Sequence, residues 1–143
     1  MNPLYSEIPQ KAIPKIGSPC RRMLDLFMTG ETILEQRLCD EFGRNYRSHL
    51  QRLRGDRFQY WRFVEVRENG VIESRYLDPR HLSGDRYLDA LARAERRKEL
   101  KKYSLTEAIN GAGRTPIAYA ELEAANDELE ALKNQRAQQK QGA

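Results

Sequence analysis

Apolar residues recur along this chain in two distinct periods. Cys20, Met23, Leu24 and Phe27 fall at helical spacing behind Ser18-Pro19, and Gly30 follows. A serine cap, a proline in the first turn and a closing glycine predict a first helix from residue 18. A second helix is predicted from about Thr32, with Ile33, Leu34, Leu38 and Cys39 turned inward and an end near Phe42-Gly43. A third runs from about Arg44 to Arg54. At 100° per residue, Leu50 and Leu53 lie within about 40° of Tyr46, while Ser48, Gln51 and Arg44 point the opposite way.

The period then changes from helical to alternating. Residues 58–67 are rich in aromatic and β-branched side chains, and a second such run spans residues 71–77, with Glu68-Asn69-Gly70 between them. Asn-Gly suits the two positive-φ positions of a type I′ turn, so a β-hairpin is predicted. With Asn69-Gly70 as a two-residue loop, Phe63 would face Tyr76 and Val64 would face Arg75. Trp61, Phe63 and Tyr76 read as packing residues that hold the hairpin to the helices. Helix resumes over Tyr87–Tyr103, breaks at Gly111-Ala112-Gly113 and restarts at Thr115-Pro116. Leu122, Ala125, Leu129 and Leu132 then repeat at coiled-coil spacing. The glutamine-rich end, 135–143, is expected to fray, and residues 1–17, punctuated by Pro3, Pro9 and Pro14, read as an extended arm docked on the core or on a partner.

Charge adds direction to this outline. The 143 residues carry 25 Lys and Arg against 21 Asp and Glu, a net charge of +4. The excess sits in the first hundred residues, and the last forty are mildly acidic. The densest stretch is 44–57, where Arg44, Arg47, Arg52, Arg54 and Arg57 face only Asp56. A focused patch of arginine suits phosphate and guanine, which its planar fork contacts in bidentate fashion.

The sequence contains no nucleophile elbow, no phosphate-binding glycine loop and no His-Glu-x-x-His. An enzyme is therefore not expected, nor a cofactor. Cys20 and Cys39 read as small buried hydrophobes, and with His49 and His81 they lack zinc-ligand spacing. His49 lies near the apolar side of its helix and reads as partly buried. No run of roughly 18–20 apolar residues exists to span a membrane, and the N-terminus lacks the pattern of a signal peptide. A cytoplasmic location is expected.

Three helices followed by a hairpin, with the third helix basic on its outer side, resemble the winged helix-turn-helix family over residues 18–82. The most specific piece is Leu38-Cys39-Asp40-Glu41-Phe42-Gly43, in which a small residue stands four places before the turn glycine. Arg44 departs from the apolar residue common after that glycine, and Tyr46, Leu50 and Leu53 sit one place later than usual; a turn longer by one residue accommodates both.

The resemblance implies a mainly α fold with a β-hairpin, arranged as an arm (1–17), a winged domain (18–82), a basic helix (83–103) and a C-terminal helical, coiled-coil-type extension (104–143). It implies that Arg44, Asn45, Arg47, Ser48, Gln51 and Arg52 lie on the helix entering the major groove of double-stranded DNA. Arg62, Arg67 and Arg75 of the hairpin would serve as a wing for phosphate or the minor groove, and residues 93–102 would follow the backbone farther out. The function this favours is a small bacterial or phage-type transcription regulator, dimerising through 115–135. The alternative is a winged-helix protein-interaction module, such as a replication or recombination accessory factor or a phage-encoded inhibitor of a host complex.

Overall fold

The computed structural model describes residues 5–111 and 115–141. It is mainly helical with a small three-stranded antiparallel sheet. The order is α1 (Pro19–Phe27), β1 (Ile33–Leu34), α2 (Glu35–Phe42), α3 (Tyr46–Arg54), β2 (Phe63–Glu68), β3 (Val71–Leu77), α4 (Arg86–Gly111) and α5 (Thr115–Gln141). Ser18 caps α1 as expected, its Oγ accepting from the Arg21 N–H at 3.2 Å. The expected helix from Thr32 begins later, because Ile33 and Leu34 pair with Arg75 and Ser74 of β3. Gly43 closes α2 at φ 78°, and its N–H donates to the Cys39 carbonyl at 2.8 Å.

Asn69 and Gly70 form the hairpin turn with φ of 53° and 81°, and Glu68 faces Val71 across it. The register beyond is one residue off the straight hairpin. A bulge at Glu73 sets Phe63 against Leu77, Val64 against Tyr76 and Glu65 against Arg75. Side chains alternate across a sheet, so this single extra residue turns Arg75 to the inner face, beside Ile33. Strand order β1-β3-β2 leaves β2 at the edge.

The core lies between α1, α2, α3 and the sheet's inner face. Met23, Leu24, Phe27, Ile33, Leu38, Leu53 and Trp61 are fully buried, and the Phe27 and Phe63 rings meet edge to face at 4.8 Å. From Tyr5 onward the N-terminal segment docks on this core. Tyr5, Ile8, Ala12 and Pro14 are buried, a 3-10 turn spans Gln10–Ala12, and the Ala12 carbonyl accepts from the Trp61 indole at 2.7 Å.

Trp61 also anchors a buried polar group that joins the hairpin root to α4. Arg93 stacks 4.0 Å over the indole, grips Asp89 through Nε, and donates to the Gln59 carbonyl at 2.8 Å. His81 also lies against the indole, ring centroids 4.8 Å apart; its Nδ1 is 2.7 Å from Asp89 Oδ1, and its Nε2 accepts the Arg62 N–H at 3.0 Å. Those partners place the proton on Nδ1 of a neutral ring.

α4 runs unbroken through the boundary expected at 103/104, and α5 returns along it. Ala118, Ala125 and Leu129 are buried, with Leu122 and Leu132 half-buried. Lys101 pairs with Glu121, Arg97 with Glu128, and Arg136 with Asp85. The seam expected to meet a second chain is therefore filled by α4 of the same chain. The end expected to fray is helical to Gln141. Gly111 belongs to α4, and the break expected at 112–113 lies outside the described residues. Among those residues no helix is long and apolar enough to cross a membrane.

Candidate nucleic-acid interface

The chemistry of α3 follows from its split surface. Tyr46, Leu50 and Leu53 are 7%, 2% and 0% exposed, so one side of the helix is committed to the core. Arg47, Ser48, Gln51 and Arg52 are all exposed on the rest of its surface. Arg44 and Asn45 are exposed as well, but they precede the helix instead of lying on it. The chain needs Gly43 through Asn45 to turn, and the Tyr46 N–H donates back to the Gly43 carbonyl at 3.2 Å. The six candidate residues thus all lie on the exposed part of turn and helix.

The position of α3 is fixed from below by a chain of polar contacts. Arg47 Nε donates to the Tyr46 hydroxyl at 3.2 Å, and that hydroxyl donates to Glu35 Oε2 at 2.8 Å. Glu35 Oε1 lies 2.8 Å from Arg75 Nε in an off-axis ion pair. One residue of α2 thereby ties the first turn of α3 to β3. Beside this chain an open cleft of ≈ 370 Å³ is lined by Glu35, Gln36, Cys39, Arg44, Tyr46 and Arg47. On the other flank, Cys20 Sγ contacts the His49 carbonyl at 3.8 Å, where α1 crosses α3. His49 is half-buried, as the helical wheel suggested. Burial lowers its proton affinity, and the charges of Arg52 and Arg22 lower it further.

Arginines divide into two populations. Among the described residues, Arg22, Arg44, Arg47, Arg52 and Arg57 have no carboxylate within ion-pair distance. All five surround α3. Arg22, on α1, was not singled out in the sequence, and Arg57 was read as part of the basic stretch 44–57 but not as a contact, because it lies past the end of the amphipathic helix. Arg22 was legible in principle, because it lies opposite the apolar stripe of Cys20, Met23, Leu24 and Phe27.

The remaining expected contacts are placed differently. Arg75 is 7% exposed and paired with Glu35, so it faces the core and not a ligand. Arg62 precedes β2 and bridges Asp78 at 3.0 Å and Glu99 at 3.2 Å, at the hairpin root. Burial pushes the Asp78 carboxyl up, but hydrogen bonds from Arg80 and Arg62 outweigh it and bring the group to about 2. Only Arg67 is exposed near the tip, where it contacts Glu65 at 3.0 Å and the Gly70 carbonyl at 3.2 Å. The same hairpin carries Glu68 and Glu73, and a hydrogen bond with Glu68 holds the Glu73 carboxyl above its ordinary range. The surface of the hairpin is therefore acidic.

The basic stretch 93–102 is largely consumed inside the molecule. Arg93 pairs with Asp89, Arg97 with Glu128 and Lys101 with Glu121, while Arg96 donates to the Arg54 carbonyl at 3.3 Å. Behind the sheet, burial lowers the Arg54 guanidinium to about 10, helped by the neighbouring charges of Arg96 and Arg75. Among the described residues no group of three His, Cys, Asp or Glu side chains is gathered to hold a metal ion. Comparison of the chain with protein-family models, curated proteins and solved structures gives no match.

Proposed function

We propose that this chain is a DNA-binding protein of the winged helix-turn-helix type, reading the major groove with α3. The observation that carries this reading is the surface of Arg44, Asn45, Arg47, Ser48, Gln51 and Arg52, exposed together and with no carboxylate partner for its arginines among the described residues. Elsewhere the fold neutralises most of its arginines internally, and a cationic face left open is suited to an anionic partner. Arg and Gln pair with guanine and adenine edges, and Ser48 and Asn45 reach base or phosphate. The order helix, short strand, helix, helix, hairpin, with β1 paired to β3, supports the winged type.

A small bacterial or phage-type transcription regulator is the role this reading favours. Charge reversal in Arg47→Glu/Arg52→Glu, followed by gel retention on duplex DNA, tests it. Binding is expected to fall by at least about tenfold, since each lost charged contact is worth roughly 1–3 kcal/mol; unchanged retention would remove α3 from the interface.

A second reading, a winged-helix module that docks another protein, draws on one different observation. Leu34 and Val66 flank Ser74 on the outer face of the sheet at 53% and 37% exposure, and Val71 near the tip is 69% exposed. DNA affinity that is micromolar or weaker at physiological salt and indifferent to sequence would favour this reading over the first.

A further inference from the structure

The unpaired arginines do not form one band along α3; they fall on its two flanks. Arg44 and Arg47 stand toward α2, beside Glu35 and Cys39. Arg52 is on the opposite flank, nearly half a turn of the helix away from Arg47, where α1 crosses. Arg22 reaches this second flank from α1, where its charge and that of Arg52 both act on His49. Arg57 reaches it from the 3-10 turn Asp56–Phe58, its guanidinium 5.4 Å over Phe58. The three surround the contact between Cys20 and the His49 carbonyl, and two of them, Arg52 and Arg57, act electrostatically on Cys20 itself. All three are exposed, and among the described residues none has a carboxylate partner.

The hairpin flank has the opposite character. Arg75 is buried, Arg62 is held by Asp78 and Glu99, and Arg67 is paired with Glu65 on a hairpin that also carries Glu68 and Glu73. A DNA backbone brought against the hairpin would meet one exposed arginine, already paired with Glu65, on a surface that also carries Glu68 and Glu73. Brought against the α1 side, it would meet three guanidiniums from three separate elements.

We propose that Arg22, Arg52 and Arg57 form a phosphodiester-binding flank, so that the α1 side of α3, and not the hairpin, grips the second wall of the groove. The inference rests on the reading of α3 as a DNA-binding helix and adds to it where the backbone is held. Phosphate contacts fix register without reading sequence. The flank therefore sets affinity and its salt dependence, whereas Ser48 and Gln51 on the outermost face set sequence preference.

The test uses the full chain and a fluorescent random-sequence DNA duplex, titrated across a range of salt concentrations. Wild type, Arg22→Ala/Arg57→Ala and Arg67→Ala are compared, with thermal melting as a control for folding. Each lost phosphate contact flattens the plot of log affinity against log salt by about 0.9. The α1-side double variant is therefore expected to lose about 1.8 of slope and to bind more weakly, with its melting temperature unchanged, while Arg67→Ala keeps the wild-type slope. If wild type binds but the double variant keeps its slope, the flank assignment falls and the reading of α3 stands. If Arg67→Ala alone flattens the slope, the hairpin is the phosphate-holding side and the proposal is overturned. If wild type does not bind duplex DNA, or binds only the single strand, the reading of α3 and the flank fall together.

Discussion

Protonating His81 would set a cation in the core beside Arg93 and direct a new N–H at the Arg62 N–H that its Nε2 now accepts. Burial lowers its proton affinity, and the hydrogen bond to Asp89 only partly opposes this. The folded state thus binds this proton less readily than the unfolded chain. The sign follows: the stability His81 contributes is fully present above about pH 6.5, and falls as pH drops below that value toward the folded pKa. His49, half-buried on α3, is shifted the same way. The melting temperature of wild type is expected to fall between about pH 6.5 and 5, and His81→Asn to fall distinctly less over that interval. An equal fall in both would show that His81 does not titrate with unfolding. Asp78 has the same sense at lower pH: its contribution is present above pH 3.8 and is lost as pH falls toward about 2.

At the scale of elements, the bulge at Glu73 decides the fate of Arg75. A straight hairpin puts Arg75 opposite Val64 on the outer face, which is why its sequence reads as a wing contact. The extra residue in β3 moves it opposite Glu65 on the inner face, where Glu35 receives it. Arg75→Gln is accordingly expected to cost about 1–3 kcal/mol in urea unfolding, because it leaves the Glu35 carboxylate poorly matched. Arg67→Gln, at an exposed tip, is expected to change stability by less than about 0.5 kcal/mol; equal effects would contradict the register.

What was legible in the sequence had local causes. Ser18-Pro19 starts a helix, Gly43 turns one into the next, Asn69-Gly70 reverses the chain, and the Tyr46, Leu50 and Leu53 stripe sets which side of α3 is free. What was not legible depended on distant partners. Ile33-Leu34 is a strand only because β3 lies beside it, and two residues carry no period of their own. The N-terminal segment docks because Trp61, some fifty positions on, needs an acceptor for its indole N–H, which Ala12 supplies. A bulge has no sequence signature in this hairpin, so every assignment on β3 beyond Ile72 shifted with it.

Across the whole molecule, the net charge is +4, and most of the described arginines outside the surroundings of α3 pair with carboxylates. Arg93, Arg97 and Lys101 of α4 are spent on Asp89 and the acidic α5, and among the described residues the arginines without a carboxylate partner gather around α3. α5 is bound to α4 by the same apolar spacing that, in the sequence alone, suits a partner chain. Leu129→Ala is expected to destabilise the protein by about 2–5 kcal/mol without altering its mass by light scattering. A change of mass with unchanged stability would mean that this seam serves a second copy.

The central claim is that the face of α3 reads duplex DNA. Its most direct test is selection of bound sequences from a random DNA pool, run in parallel with the intact chain and with Arg47→Glu/Arg52→Glu. A single motif is expected to be enriched by the intact chain and absent from the variant. Failure of the intact chain to enrich any motif, or recovery of the same motif by the variant, would contradict the claim.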